Sequence, residues 1–232
     1  MHSKLIQETD DREIYRRMGL TVKLNGIEVP RNIALLFFSD DPEMAFPGAR
    51  IEVVHFPEGA SGDVLQEWIF RGPLPRQVKD CMTHLKKFIR YSIQKQADSP
   101  ESSGWVSFPH DALEETIVNA VFHRSYEGTR EPTKVYIYPD RIEVTSYPGP
   151  MPGLERAHFE AGQRIPLVPA RNRRIGEMLK ELRLAEARGT GVPKVFRAMA
   201  ENKSPPPCYE FDEQRTYFTV ILPAHEPIVP PF

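Results

Sequence analysis

Apolar residues recur along this chain with two periods, and the changes from one to the other predict its elements. From Asp111 to Tyr126, residues Leu113, Ile117, Ala120 and Val121 fall at three- and four-residue spacing, which is one face of a helix. Pro109, just upstream, marks where that helix begins. Val78, Met82, Leu85, Phe88, Ile89 and Ile93 form a second stripe, read as one long core-facing helix from about Arg76 to Gln96. A basic amphipathic helix is expected over Arg171–Leu184, with Ile175, Met178, Leu179 and Leu182 on one face. A further helix follows from about Val192 to Asn202, with Pro193 in its first turn. Alternating or β-branched runs predict strands at Leu20–Leu24, Ala49–Phe56, Val64–Phe70, Tyr209–Phe211 and Tyr217–Leu222. Thr133–Tyr138 and Arg141–Ser146, joined by Pro139-Asp140, read as a hairpin. Near the start, Asp11–Met18 reads as a short helix, Asn25-Gly26 as a turn, and Pro30 as a helix opener. The run Asn32–Phe38 fits a helix or a strand.

Two stretches interrupt the periodicity. Gln94–Gly104 is polar and Ser-rich, so a flexible connection between two lobes is expected there. This divides the chain into an α/β lobe at residues 1–98, a second lobe at 105–223 and a Pro-rich tail at 224–232. The second stretch, residues 149–170, has no period and opens with Gly149-Pro150-Met151-Pro152-Gly153. A connection of that length inside a domain suggests a lid or binding loop, so it is expected to be the least ordered internal segment. Arg164, Arg171, Arg173 and Arg174 would offer it charges to settle on phosphate, although a solvated helix face is the commoner role for the last three.

Composition narrows the function classes. Of 232 residues, 40% are hydrophobic and 27% charged, as in ordinary globular proteins. A formal net charge of -2 does not suggest a globally basic nucleic-acid binder. No apolar run is long enough to span a membrane. Cys81 and Cys208 have no metal-ligand spacing and are too few for a disulfide scaffold, so a reducing, cytoplasmic setting is expected.

Two groups of residues carry candidate chemistry. Glu115 and Asn119 are four apart and lie one above the other on a helix, where a carboxylate and an amide could hold hydrated Mg²⁺ and orient a water. They are expected on an exposed face, bordering a pocket floored by the 133–146 hairpin. For such a pair alone, a solvated helix edge is the commoner meaning. Gly189-Thr190-Gly191 precedes a helix, and its backbone could approach an anion closely; alone it more often marks a turn. The chain has no Gly-x-x-x-x-Gly-Lys-Ser/Thr and no dinucleotide-binding glycine fingerprint. His123 and Arg124 either complement the helix dipole or contact phosphate, and Asn172 either holds the end of the lid or caps a helix. Trp68 and Trp105 read as core or lobe-interface residues.

Taken together, Asp111–Tyr126, Asp140–Gly149 and Glu186–Val192 occur in an order that resembles the C-terminal region of the bacterial RecG-like C-terminal family. Pro30–Phe38 and Phe46–Ile51 also resemble the segment upstream of it. Members of that family usually carry an AlbA-type, Schlafen-like domain in front. Their last part is similar to the gyrase, Hsp90, histidine-kinase and MutL (GHKL) ATPase fold. The resemblance implies an α/β chain built as an α+β two-layer sandwich, with a GHKL-like lobe preceded by a smaller α/β lobe. It further implies that Glu115 polarises water and that Asn119 coordinates Mg²⁺. Gly149 and Gly153 would stand at the adenine-side loop, while Gly189, Thr190 and Gly191 would cap the lid and face the phosphates. Where the ATPase fold places an Asp after its second strand, and RecG-like proteins place Asn-Pro-Gly-Gly, this chain has Tyr147-Pro148-Gly149-Pro150. A tyrosine can stack on a base or share a hydrogen bond.

The function so implied is an ATP-binding regulatory module, with at most slow Mg²⁺-dependent hydrolysis and no motor activity. It would belong to a transcription-regulator-like protein that reaches DNA only through a separate domain. The competing expectation is a degenerate module that binds no nucleotide and works by protein contact or homodimerisation.

Overall fold

The strands expected from alternation pair into one mixed sheet that runs through most of the chain. The computed structural model describes residues 10–95, 102–182, 184 and 191–225. The sheet strands are β3 (Ile51–His55), β4 (Gln66–Phe70), β7 (Thr133–Ile137), β8 (Arg141–Ser146), β9 (Cys208–Glu210) and β10 (Phe218–Pro223). Their spatial order is β4-β3-β7-β8-β10-β9. Every neighbouring pair is antiparallel except β3 and β7, which run parallel with Ile51 beside Thr133.

The parallel pair bears on the lobe boundary. A parallel connection needs a crossover, and here it contains the helix α3 (Leu74–Leu85), the hairpin of β5 (Tyr91–Lys95) with β6 (Ser102–Val106), and the helix α4 (His110–His123). A boundary at 98–105 would therefore cut one sheet in two: β3 and β4 lie on one side of it in sequence and their neighbour β7 on the other. The expected helix from Arg76 to Gln96 also ends early. Its stripe is shared between α3, a 3₁₀ turn at Lys86–Phe88 and β5. The connection expected at Gln94–Gly104 instead carries the ends of two paired strands.

Sheet residues alternate between two environments. Ile51, Val53, Val135, Ile137, Ile142, Val144 and Leu222 are buried beneath the helices, whereas Glu52, Lys134, Glu143 and Thr145 point the other way and are half-buried. This is the signature of a sheet covered on one face. On the covered face α4 lies against β8 and β10, and its buried residues Leu113, Ile117, Ala120 and Val121 are the stripe read from sequence. The helix α5 (Arg173–Glu181) and the helix α6 (Gly191–Glu201) complete the layer, α6 lying along α4. Asn202 fixes the far end of α6: its side chain donates to the Val106 carbonyl at 2.7 Å and accepts from the Val106 amide at 3.0 Å.

The opening of the chain packs in front of this layer. It comprises α1 (Asp11–Arg17), a hairpin of β1 (Thr21–Leu24) and β2 (Ile27–Pro30), and α2 (Asn32–Phe38). Asn25-Gly26 makes the expected turn, with both residues at positive φ. Pro30 closes β2 rather than opening the helix, which begins at Asn32. No helix among the described residues is long and apolar enough to cross a membrane.

Candidate functional site

The helix α4 ends abruptly, and what happens at that end explains several residues singled out from sequence. Arg124 leaves the helical conformation (φ -68, ψ 162) and turns its side chain into the protein, where it is 1% exposed. Its guanidinium donates to the Glu131 carbonyl at 2.6 Å, to Thr133 Oγ1 at 3.2 Å and to the Ser125 carbonyl at 3.2 Å. The cation also lies 4.9 Å from the centre of the Tyr126 ring. Burial pulls its pKa below the usual value, and Tyr126 partly offsets this. Arg124 is thus the strut of the loop between α4 and β7 and does not face a cleft. His123 is exposed, its ring 4.3 Å from that of Phe122.

The last carbonyls of α4 lack helical partners, as at any helix end. They are satisfied from a distant segment. Asn172 donates to the Phe122 carbonyl at 2.9 Å and also to that of Arg124. Arg171 donates to the His123 carbonyl and, at 3.0 Å, to the Gly149 carbonyl. Asn172 therefore caps the end of α4, although it stands at the start of α5, where its side chain makes no cap. Arg173 and Arg174 pair with Glu177, and Arg174 also donates to the Met18 carbonyl.

Of the loop expected to be a lid, residues 149–159 are held at several points, whereas most of residues 160–170 are exposed. Arg215 donates to the carbonyls of Met151 and Leu154 at 3.1 and 2.7 Å and to Glu155 Oε1 at 2.9 Å. A 3₁₀ turn at Arg156–Phe159 buries Phe159 against Tyr209, Phe211 and Phe218. Gly149 owes its identity to packing. A Cβ there would lie 2.8 Å from the Tyr217 carbonyl oxygen and 2.9 Å from the Arg215 backbone, so no side chain fits. Gly153 makes a left-handed turn at φ +93. Tyr147, joined to Pro148 by a cis peptide, lies beside Lys134, whose ammonium is 5.4 Å from the ring centre. Lys134 is on the sheet face away from α4, so Tyr147 is not grouped with Glu115 and Asn119.

One set of polar side chains does face itself. Asn119 Nδ2 donates to Glu115 Oε1 at 3.1 Å, as the four-residue spacing predicts. The exposed face expected for the pair is not found at Glu115, which is 7% exposed; Asn119 is half-buried. What covers them is the first turn of α6. A Cβ on Gly191 would lie 2.5 Å from Glu115 Oε1 and 2.9 Å from Asn119 Nδ2. One turn along α6, the Lys194 ammonium stands 3.5 Å from Glu115 Oε2. The Tyr209 hydroxyl is buried with no hydrogen-bond partner among the described residues. Burial, and then the charge of Glu115, raise its pKa, so it stays protonated. Gly189 and Thr190 lie outside the described residues. Cavities of about 430 Å³, beside Arg156, Phe211 and Arg215, and about 470 Å³, beside Phe46, Tyr126 and Arg130, are not lined by Glu115 or Asn119.

Sequence reasoning missed Lys194 and Tyr209. Lys194 sits three residues past Gly191, on the helix face that meets α4, and helical spacing from that glycine could have pointed to it. Tyr209 comes from an edge strand remote in sequence, and no local signal marks it.

Comparison with known proteins places these features. No curated protein matches the chain. Among solved structures, the DIP2311 protein from Corynebacterium diphtheriae has a similar fold, with a TM-score of 0.70 at 21% identity over 96% of this chain. The chain spans 42% of that protein's length. Residues 131–222 match the family described as "Putative ATP-dependent DNA helicase recG C-terminal", a segment that includes Gly191, Lys194 and Tyr209 and begins just after α4. Over residues 131–222 the chain is therefore similar to the RecG C-terminal family.

Proposed function

We propose that this chain is a nucleotide-binding regulatory module that takes Mg-ATP at the junction of α4 and α6. The observation that carries this reading is the convergence of Glu115, Asn119 and Lys194 on the glycine that starts α6. The donor set suits the group. The Asn119 amide oxygen accepts no hydrogen bond among the described residues and is a hard ligand of the type Mg²⁺ takes beside phosphates and water. Lys194 supplies a mobile cation for a phosphate, and the orphaned Tyr209 hydroxyl a donor without an acceptor. Magnesium there would neutralise phosphate charge. Glu115 would then exchange Lys194 for a water and accept a proton from it. Because Gly191 sits directly on the pair, a nucleotide enters only if the first turn of α6 lifts. Slow turnover, if any, agrees with that requirement. The regulatory context, with DNA contacted through a separate domain, follows from the family resemblance, and no helicase motor is proposed.

A second reading, a module that binds no nucleotide and acts by protein contact, is favoured by Tyr147 facing Lys134 and by the closed Glu115–Lys194 pair. Titration of a fluorescent ATP analogue with and without Mg²⁺ separates the two. The nucleotide reading expects Mg²⁺-dependent binding that Asn119→Ala abolishes while the circular-dichroism melt is unchanged. Absence of binding by the parent protein in both conditions discards it in favour of the second reading.

A further inference from the structure

The two edges of the sheet are built differently. The β9 edge is three residues long, follows directly on Pro205-Pro206-Pro207 and ends on an exposed Glu210, devices that keep an edge from pairing. The β4 edge is longer and carries a single charge, the exposed Glu67. It runs for five residues in unbroken register with β3, without proline, lysine or bulge. Among the described residues no strand pairs with its outer side. Ile69, on its open face, is 44% exposed, and Val64 and Leu65 on the approach are exposed as well. A regular edge whose one charge can be met by a partner is a template for another strand.

We infer that this edge is where two copies of the chain pair, β4 against β4, to give a continuous twelve-stranded sheet. The argument for a second copy is self-complementarity. In an antiparallel pair related by a two-fold axis perpendicular to the sheet, facing residues share a face. The axis must therefore pass at a residue. Placed at Ile69, it sets Ile69 against itself and Glu67 against Arg71 of the partner subunit, twice. On the other face, Trp68 stands against Phe70 of the partner subunit. Those aromatic rings already lie against His84, with centroids 4.2 and 5.6 Å away. An axis at Glu67 would oppose like charges, one at Trp68 would set Glu67 against isoleucine, and one at Phe70 would set Arg71 against isoleucine. Only the Ile69 register matches charge to charge. Glu67 and Arg71 are both exposed, and Arg71 reaches Glu43 in its own subunit without being covered. This inference does not depend on the nucleotide reading.

Sedimentation velocity on the intact chain, combined with cysteine cross-linking, tests both the interface and its register. The parent is expected to sediment as a dimer at tens of micromolar. Ile69→Lys, which places two ammonium groups face to face at an exposed site, is expected to shift dissociation by more than tenfold. In a Cys208→Ser background, Ile69→Cys should form a disulfide-linked dimer under mild oxidation, because directly opposed Cβ atoms in such a pair lie about 4.5–5.5 Å apart. Glu67→Cys should not, since position 71 faces it. A monomeric parent would overturn the inference. So would a dimer indifferent to Ile69→Lys, or equal cross-linking at positions 67 and 69.

Discussion

The two ends of the contact between α4 and its surroundings use polar residues in opposite ways. At the C-terminal end, Arg124, Arg171 and Asn172 turn their donors onto backbone carbonyls and are consumed by the fold. In the middle of the helix, Glu115, Asn119 and Lys194 bond one another, and the Tyr209 hydroxyl has no partner among the described residues. A donor held by a carbonyl cannot be given to a ligand without breaking the scaffold. A pair of side chains that satisfy each other can exchange that partner for a ligand at little cost to the backbone. The difference separates the residues that hold a site in place from those that can serve it, although both kinds sit within a short motif.

The comparison breaks most visibly at Arg124. Truncation in Arg124→Ala removes a guanidinium that bonds three acceptors, and buried acceptors left unpaired cost about 1–3 kcal/mol each. A loss of roughly 3–5 kcal/mol in urea-unfolding free energy is expected, among the larger single-residue effects. Arg124→Lys should recover less than half of it, because one ammonium cannot replace the planar fork that reaches Ser125, Glu131 and Thr133 together. A loss below about 1 kcal/mol for the alanine variant would place Arg124 with the available residues instead.

A smaller effect belongs to Asn172. Its amide closes the end of α4 across 50 residues of sequence, and a lost helix cap costs about 0.5–2 kcal/mol. Asn172→Ala should lower stability by about that amount. The distance between Glu115 and Asn119 should not change, as a crystal structure of the variant would show. A disturbed pair would mean that the two ends are coupled.

The sequence displayed one half of this contrast more clearly than the other. The stripe of Leu113, Ile117, Ala120 and Val121 and the spacing of Glu115 and Asn119 are local, so helix periodicity was enough to place them. The 133–146 hairpin was legible for the same reason. Long-range closure was not. Nothing near Asn172 says that it caps a helix 50 residues earlier, and nothing in residues 151–155 says that Arg215 pins them. The stripe past Leu85 misled because the apolar residues of a 3₁₀ turn and a strand happened to continue the helical spacing of α3. The sheet shared across the proposed lobe boundary was equally hidden, since a parallel pairing of β3 with β7 leaves no mark in either strand.

The smallest expected change in stability is at Gly191, and it sharpens the comparison most. The glycine is the first residue of α6 and has no positive φ, so alanine can adopt its conformation. In a helix alanine is favoured over glycine by about 1 kcal/mol. Against that gain, the new Cβ would fall 2.5 Å from Glu115 Oε1 and 2.9 Å from Asn119 Nδ2. Both atoms are the far ends of flexible side chains, so they can turn away, but then the 3.1 Å bond between them breaks. Such a bond contributes about 0.5–1.5 kcal/mol, so the two effects should nearly cancel in the midpoint of thermal unfolding. The pair itself should not survive. If it is the site proposed above, Gly191→Ala should lose Mg²⁺-dependent nucleotide binding while melting within a few degrees of the parent. A variant that melts normally and binds normally would show that the junction of α4 and α6 is scaffold throughout, like the other end of the helix.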